Sequence, residues 1–521
     1  MRAFDRRVRR RGAVAAAVLV LWGLGLAALA RRELFHGAAE RLAEAALRVS
    51  PGTEFYAVEQ GGTHIGFASS TLDTTATGVE LIDNFIADLP VGGARHRASA
   101  QSHVSLTRVL GLRSFVVTVQ SDGGALTVDG RPERDTLLVS IRSGDAPPDT
   151  QRVAFTGPLL LPTVVPLAVA LGQEPKVGRR VTVQMFDPVS MAARDVALSI
   201  RAESLFTLSD SAVFDSAANR WRPAHEDTVR AWQLASDTDG GLSAWVDAAG
   251  RLVEVRQPGG LVLRRTAHEI AFFNWKLAAD ARRGPVAADD DVLETTAIAA
   301  SARLGGKRID RLRVRLRHVD LGDFALAGGR QRLSGDTLTV EREGDRALWS
   351  YYALPGTAAQ RLRFRAELSP EPLLQSSHPS VVALANRLAA GTRDPRVVAE
   401  RINRWVHDSV KKQITLGVPD ALQVLQARRG DCNEHAQLYV ALARAAGIPA
   451  RAAAGLAYLD GKFYYHAWPE VYLGEWVAVD PTFDQFPADA AHLRFVTGGL
   501  GEQAILLRLM GRLQIDVLER R

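Results

Sequence analysis

The sequence predicts an α+β, multidomain protein: an N-terminal transmembrane helix, β-rich external domains, and a C-terminal domain in which helices precede a set of strands. Three observations carry this. Residues 13–30 form an uninterrupted apolar run behind six arginines. Over 55–275, apolar and polar residues alternate in short runs broken by glycine and aspartate turns, the period of strands. From about residue 380 the spacing becomes helical, and alternation returns near Arg451. A chain of 521 residues is too long for one core and should divide into several. The expected division is 1–33 a basic tail and membrane anchor (or signal peptide), 34–281 a β-rich envelope domain, 282–291 a linker, 292–368 a second β domain, and 369–521 the C-terminal domain.

The apolar run has 18 residues with no charge and no proline, about 27 Å as a helix, which matches a bilayer core. Arginine excess before it predicts an inside N-terminus. The expected placement is therefore single-pass in the cytoplasmic (inner) membrane, with the body in the periplasm or outside. A signal peptide competes, because Ala28-Leu29-Ala30 fits a small-x-small cleavage site. The length of the run and Arg31-Arg32 after it favour an uncleaved anchor. Residues 159–171 are also apolar but short and interrupted by Pro162 and Pro166, the mark of buried core. The net charge of +6 is accounted for by eight arginines against Asp5 and Glu33 in the first 33 residues. The remainder is neutral on balance, so no basic field for nucleic acid is expected.

Residues 34–47 read as a short amphipathic helix. The β region shows hairpin signals at Gly61-Gly62, at Asp129-Gly130 and at Ala249-Gly250 inside WVDAAGRLVEV. Its texture resembles the open half-barrels of lipoprotein-sorting and related envelope proteins. That resemblance implies a spacer or partner-docking role, or a carrier of an apolar lipid or glycan if a groove is open. Arg282 to Asp291 reads as a polar linker. In the next segment, LRVRLRHV and DTLTVERE alternate with arginines on what should be a solvated face. A helix is expected from Ser380 to Ala390. A second should be capped by Asp394 with Pro395 at its first position and run to about Lys412, with Val398, Ile402, Trp405 and Val406 on one face.

Cys432 is the only cysteine, so no intramolecular disulfide exists and retention of a lone thiol needs a reason. Its surroundings supply one. Asp431 and Glu434 form an N-terminal capping pattern, Leu438, Val440, Leu442 and Ala445 continue a helix, and Gly447 with Pro449 ends it. Cys432 thus sits on the first turn, where free N–H groups and the helix dipole are expected to favour thiolate. Downstream, strands turn at Asp460-Gly461 and Gly474-Glu475, placing His466 on the middle strand and Asp480 at the end of the last. A strict two-residue turn at Gly474-Glu475 would point them to opposite faces. A shared face requires a longer turn there, or a bulge near Pro469, which cannot donate to the ladder.

The pieces RRGDCNEHA, RAAGIPAR, YYHAWPEVYL and WVAVDPT, spanning about 395–490, together resemble the transglutaminase-like superfamily and its papain-related fold. The resemblance implies Cys432 as nucleophile, His466 as base and acid, and Asp480 as the residue orienting His466. It implies attack on a peptide or protein amide, a thioester, and transfer to water or an amine. The backbone N–H of Cys432 is the first oxyanion donor and Gln413 the candidate for the second. Trp468 is the candidate shield of the His–Asp pair. No cofactor is implied. Cys432, His435 and His466 lack the tight spacing of a zinc site, so no metal is expected. The rival reading is a non-catalytic binding or scaffolding protein that uses the papain-like fold for partner recognition. Oligomeric state is not encoded in any legible motif.

Overall fold

The computed structural model describes residues 50–521 apart from 145–147, 173, 189–190, 237–242, 258, 282–285, 306–307 and 419. Strands account for 48% and helices for 21%, so the expected α+β balance is corrected to a mostly β protein. The expected anchor over 13–30 and the amphipathic helix over 34–47 lie outside the described residues. Among those described, no helix is long and apolar enough to cross a membrane. The single-pass inner-membrane placement is corrected on that finding. The described helices are short, the longest of them being the 15-residue Pro395–Ser409.

Residues from Gly52 to Thr266 build one fifteen-stranded sheet. Its first strand, Gly52–Gln60, pairs with both its neighbour Thr63–Thr74 and its last strand, Leu261–Thr266. Two meanders therefore run outward from a common centre, one ending at Asp149–Ala154 and the other at Leu159–Leu160, which pairs in parallel with Arg180–Asp187. Alternation works as the sequence implies. In Thr136–Ser143, Leu137, Val139 and Ile141 are buried while Thr136, Leu138 and Ser140 are less so. Each such burial contributes about 1.5–3 kcal/mol. The turn at Gly61-Gly62 has both glycines at positive φ, 56° and 81°, the two-residue hairpin geometry that glycine permits.

The two arms share a core. Phe115 of one arm and Phe186 of the other lie 5.5 Å apart by ring centroids, among Leu137, Ile200 and Leu234. Helix Val165–Gly172 contributes Leu167 and Val169 to the same core, so 159–171 is core as its sequence implies. Side chains of both arms meet in this interior.

The Asp291 carboxylate is buried, not a solvated linker charge. It accepts hydrogen bonds from Gly92 N (3.1 Å), Gly93 N (2.5 Å) and Leu293 N (2.9 Å). The sheet's hairpin tip is thereby tied to helix Val292–Thr296. A second tip reaches further: Gly123 N donates to Leu416 O at 3.3 Å.

In Arg311–Arg317, Leu312, Val314 and Leu316 face inward and the arginines outward, where Arg317 pairs with Asp516 and Arg313 with Glu519. The four-stranded sheet that holds it is completed by the C-terminal strand Gln514–Arg520. Its core continues through Leu456, Phe463, Leu493 and Phe495 into the next sheet. There Lys462–Tyr472 and Ala450–Leu459 pair centrally, flanked by His492–Thr497, Trp476–Ala478 and Ile298–Ala299. Helix Cys432–Ala445 packs between this sheet and helices Pro379–Ala389 and Pro395–Ser409. Buried Tyr439 donates to Ala399 O at 3.0 Å. The second of those helices stops at Ser409 rather than near Lys412, because Lys411–Lys412 leaves to pair in parallel with Arg429–Gly430.

Candidate active site

The site starts from a helix terminus. Asp431 is the N-cap of Cys432–Ala445, its side chain accepting from Asn433 N at 2.8 Å. Glu434 Oε2 accepts from Asp431 N at 2.9 Å, the reciprocal arrangement expected from their spacing. The turn closes so tightly that a Cβ on Gly430 would fall 2.2 Å from Glu434 Cβ. Cys432 is the first helical residue, half-buried.

The expected lowering of the Cys432 thiol does not occur. Burial pushes the thiol well up, Asp431 adds to this, and a hydrogen bond from the Ala467 backbone opposes it. Burial is the larger cause, and the cap adds to it. Asp431 and Glu434 consume the N–H groups that would have favoured thiolate, and the dipole is worth only about 0.3–1 kcal/mol, less than one pKa unit. Asp431 is itself held well above the usual carboxylate range by burial and then by Glu434. Cys432 packs against the apolar cluster that includes Ala467, on the strand that carries His466.

His466 and Asp480 come together through a longer turn. Tyr472 pairs with Trp476, Val471 with Val477 and Glu470 with Ala478, so the connection is Leu473-Gly474-Glu475, one residue longer than the strict turn. Positions 466, 468, 470, 478 and 480 then share a face. Gly474 has φ +135°, which accommodates the longer connection. His466 Nε2 donates to Asp480 Oδ2 at 2.7 Å, and both side chains are buried. That leaves Nδ1 of His466 to exchange a proton.

Asp480 is fully buried. Its Oδ1 accepts from Thr482 N (2.7 Å) and Phe483 N (3.1 Å). Burial alone would raise its pKa, but His466 and His492 hold it well below the usual carboxylate range. His492, which the sequence reading did not single out, donates from Nε2 to Asp480 Oδ2 at 2.9 Å and from Nδ1 to Asp489 Oδ1 at 3.1 Å. No periodicity marks it: it follows an irregular loop, twelve residues after Asp480. Phe483 was also missed; its ring stacks on His466 at 4.8 Å and 10°.

Trp468 is buried beside His466, with ring centroids 6.0 Å apart and planes at 24°, a position consistent with shielding. Gln413 is exposed, yet its backbone N donates to Gly430 O at 3.0 Å, which keeps it in the ladder leading to Cys432. His435 is buried, and its Nδ1 donates to Asp431 O at 2.6 Å. Among the described residues, the group with metal-like spacing is His466, Asp480 and His492, with ligand atoms within 4.8 Å. Two imidazole N–H groups converging on one carboxylate oxygen account for that spacing.

The Transglutaminase-like superfamily model matches residues 382–481. A protein-glutamine gamma-glutamyltransferase from Pseudomonas aeruginosa is 32% identical over 165 residues. That match spans 25% of this chain and 24% of the relative, so the chain covers about a quarter of the relative's length. A Cytophaga hutchinsonii structure described as a candidate cysteine protease aligns with 40% of this chain and 86% of its own, at 18% identity and a TM-score of 0.28. A β-barrel-like protein of a domain of unknown function from Brucella abortus aligns with 42% of this chain and 95% of its own, at 11% identity and a TM-score of 0.28. Scores that low carry no argument about the fold. The family match and the glutamyltransferase relative both fall in a family of cysteine-based enzymes. The chain carries, at residues 382–481, a domain of the transglutaminase-like superfamily.

Proposed function

We propose that the protein is a cysteine acyl-transfer enzyme acting on peptide or protein amide bonds, with Cys432 as nucleophile, His466 as base and acid, and Asp480 orienting His466. The observation that carries this reading is the buried His466–Asp480 hydrogen bond of 2.7 Å on the strand against which helix Cys432–Ala445 packs. The Cys432 proton passes to His466 Nδ1 as sulfur attacks the amide carbonyl. The backbone N–H of Cys432 stabilises the oxyanion, with Gln413 the candidate second donor. His466 then returns the proton to the leaving amine, and a thioester remains on Cys432. Water completes an amidase or peptidase cycle; a primary amine completes a transglutaminase cycle. Trp468 and Phe483 limit water around the imidazole.

A second reading, a non-catalytic binding protein, is favoured by one feature: burial, with Asp431 beside it, pushes the Cys432 thiol up. Incubation with glutamine-containing peptides, with and without a biotinylated primary amine, separates the two. The enzyme reading predicts a hydroxylamine-sensitive acyl adduct on Cys432 by intact mass, absent from Cys432→Ala. No adduct and no turnover across a diverse peptide pool would support the binding reading.

A further inference from the structure

We infer that His492 is a positioning residue that acts on His466 through Asp480, holding the shared carboxylate oxygen in place while keeping His466 in the tautomer that leaves Nδ1 free. The inference rests on the triad reading above. His492 lies outside the family-matched segment 382–481, at the start of strand His492–Thr497, and is 2% exposed.

The argument begins with donors and acceptors. Both ring nitrogens of His492 face carboxylate oxygens, Asp480 Oδ2 at 2.9 Å and Asp489 Oδ1 at 3.1 Å. Ionised carboxylates only accept, so both nitrogens donate and the ring is an imidazolium. Burial alone would favour the neutral ring, but these two hydrogen bonds outweigh it and raise its pKa to about 9.

Asp480 is then saturated. Its Oδ1 takes two backbone N–H groups, from Thr482 and Phe483, and its Oδ2 takes His466 and His492. Four hydrogen bonds fill the acceptor sites of a carboxylate and leave it no freedom to rotate. Because Asp480 stays ionised, the nitrogen of His466 that faces it must carry hydrogen, and the other nitrogen is the base.

The remaining charged neighbours support the same state. Asp489 Oδ1 also accepts from Ala491 N at 3.0 Å and Oδ2 from Gln485 at 3.4 Å. Arg330 donates to the Asp489 carbonyl. His466 and His492 rings lie 5.6 Å apart, and Trp468 meets His492 edge-on at 5.2 Å. His492 therefore supplies a positive charge beside buried Asp480 that helps keep its carboxylate ionised.

The test is the second-order rate of Cys432 alkylation by iodoacetamide across pH 5–9, in the full chain and in His492→Gln, His492→Phe, Asp489→Asn and His466→Ala. Folding is checked by thermal melting. At neutral pH, His492→Phe should slow alkylation about tenfold, the equivalent of one pKa unit in thiolate availability. His492→Gln keeps an N–H for Asp480 and should recover most of the rate, with a displaced acid limb. Should His492→Phe not fold, Asp489→Asn, which removes the charge of the second carboxylate, is expected to displace the same limb. Wild-type rate and profile in every folded His492 and Asp489 variant, with His466→Ala slowed, would overturn the role of His492 alone. An unslowed His466→Ala would overturn the triad reading beneath it.

Discussion

His466 and Asp480 meet at 2.7 Å only because the connection between their strands holds three residues, Leu473-Gly474-Glu475, rather than two. A one-residue change in that register would send the two side chains to opposite faces of the sheet. Gly474 sits at φ +135°, and a Cβ there would come 2.8 Å from Tyr351 Cδ2. Gly474→Val should therefore cost about 1–3 kcal/mol, read by urea unfolding. Deleting Glu475 should abolish acyl-enzyme formation in whatever fraction still folds. Full activity in the deletion would mean that the register does not place the pair.

Gly430 is another position that leaves no room for a side chain, since a Cβ would lie 2.2 Å from Glu434 Cβ. Gly430→Ala forces apart the cap that holds Cys432 at the helix start. A loss of about 1–3 kcal/mol is expected for such overpacking, together with slower Cys432 alkylation. Unchanged alkylation in a destabilised protein would separate the cap from reactivity.

The pH dependence of stability follows from His492. Its pKa is about 9 in the folded chain against a reference of 6.5. Folding thus binds a proton more tightly, and the resulting stability, about 3 kcal/mol, is complete below pH 6.5 and is lost as pH rises through about 9. Asp480 and Asp489 are lowered on folding, so their contributions are present at neutral pH and are lost as the medium becomes acidic. Urea midpoints of wild type and His492→Gln across pH 6–10 should converge toward high pH. Parallel curves would contradict a charged His492.

Asp291 accepts three backbone N–H groups from two parts of the chain. Asp291→Ala should leave them unpaired and weaken the tie between the Gly92-Gly93 hairpin tip and helix Val292–Thr296. Limited proteolysis should then cut near that tip sooner, while Asp291→Asn, which retains one acceptor, should be intermediate. Equal cleavage in all three would show that the tip is held by other contacts.

Much of this architecture is local and was legible for that reason. The alternation of Leu137, Val139 and Ile141, the turn at Gly61-Gly62 and the Asp431–Glu434 cap each need only neighbouring residues. The register at Gly474 was legible as a condition: co-facial His466 and Asp480 demanded a longer turn or a bulge, and the longer turn is what forms. What was not legible depends on distant or collective effects. Gln514–Arg520 completes the sheet of Arg311–Arg317 across some two hundred residues, and no pattern in either strand names the other. The packing of Phe115 against Phe186 arises from the curl of two whole arms. His492 has no sequence period to reveal it, only the loop that returns it to Asp480. The thiol was misjudged because the helix dipole was read without the burial that outweighs it and the Asp431 charge that adds to that burial.

The central claim is that His466 takes the proton of a thiol that is not ionised at rest. Labelling of Cys432 with an amide-directed thiol probe from pH 5 to 10, in wild type, Cys432→Ala and His466→Ala, tests it most directly. The account predicts labelling of wild type near neutral pH, none in Cys432→Ala, and a rate in His466→Ala that rises only above the free-thiol pKa of about 8.5. Wild type that labels only above that pH, with His466→Ala indistinguishable from it, would contradict the account.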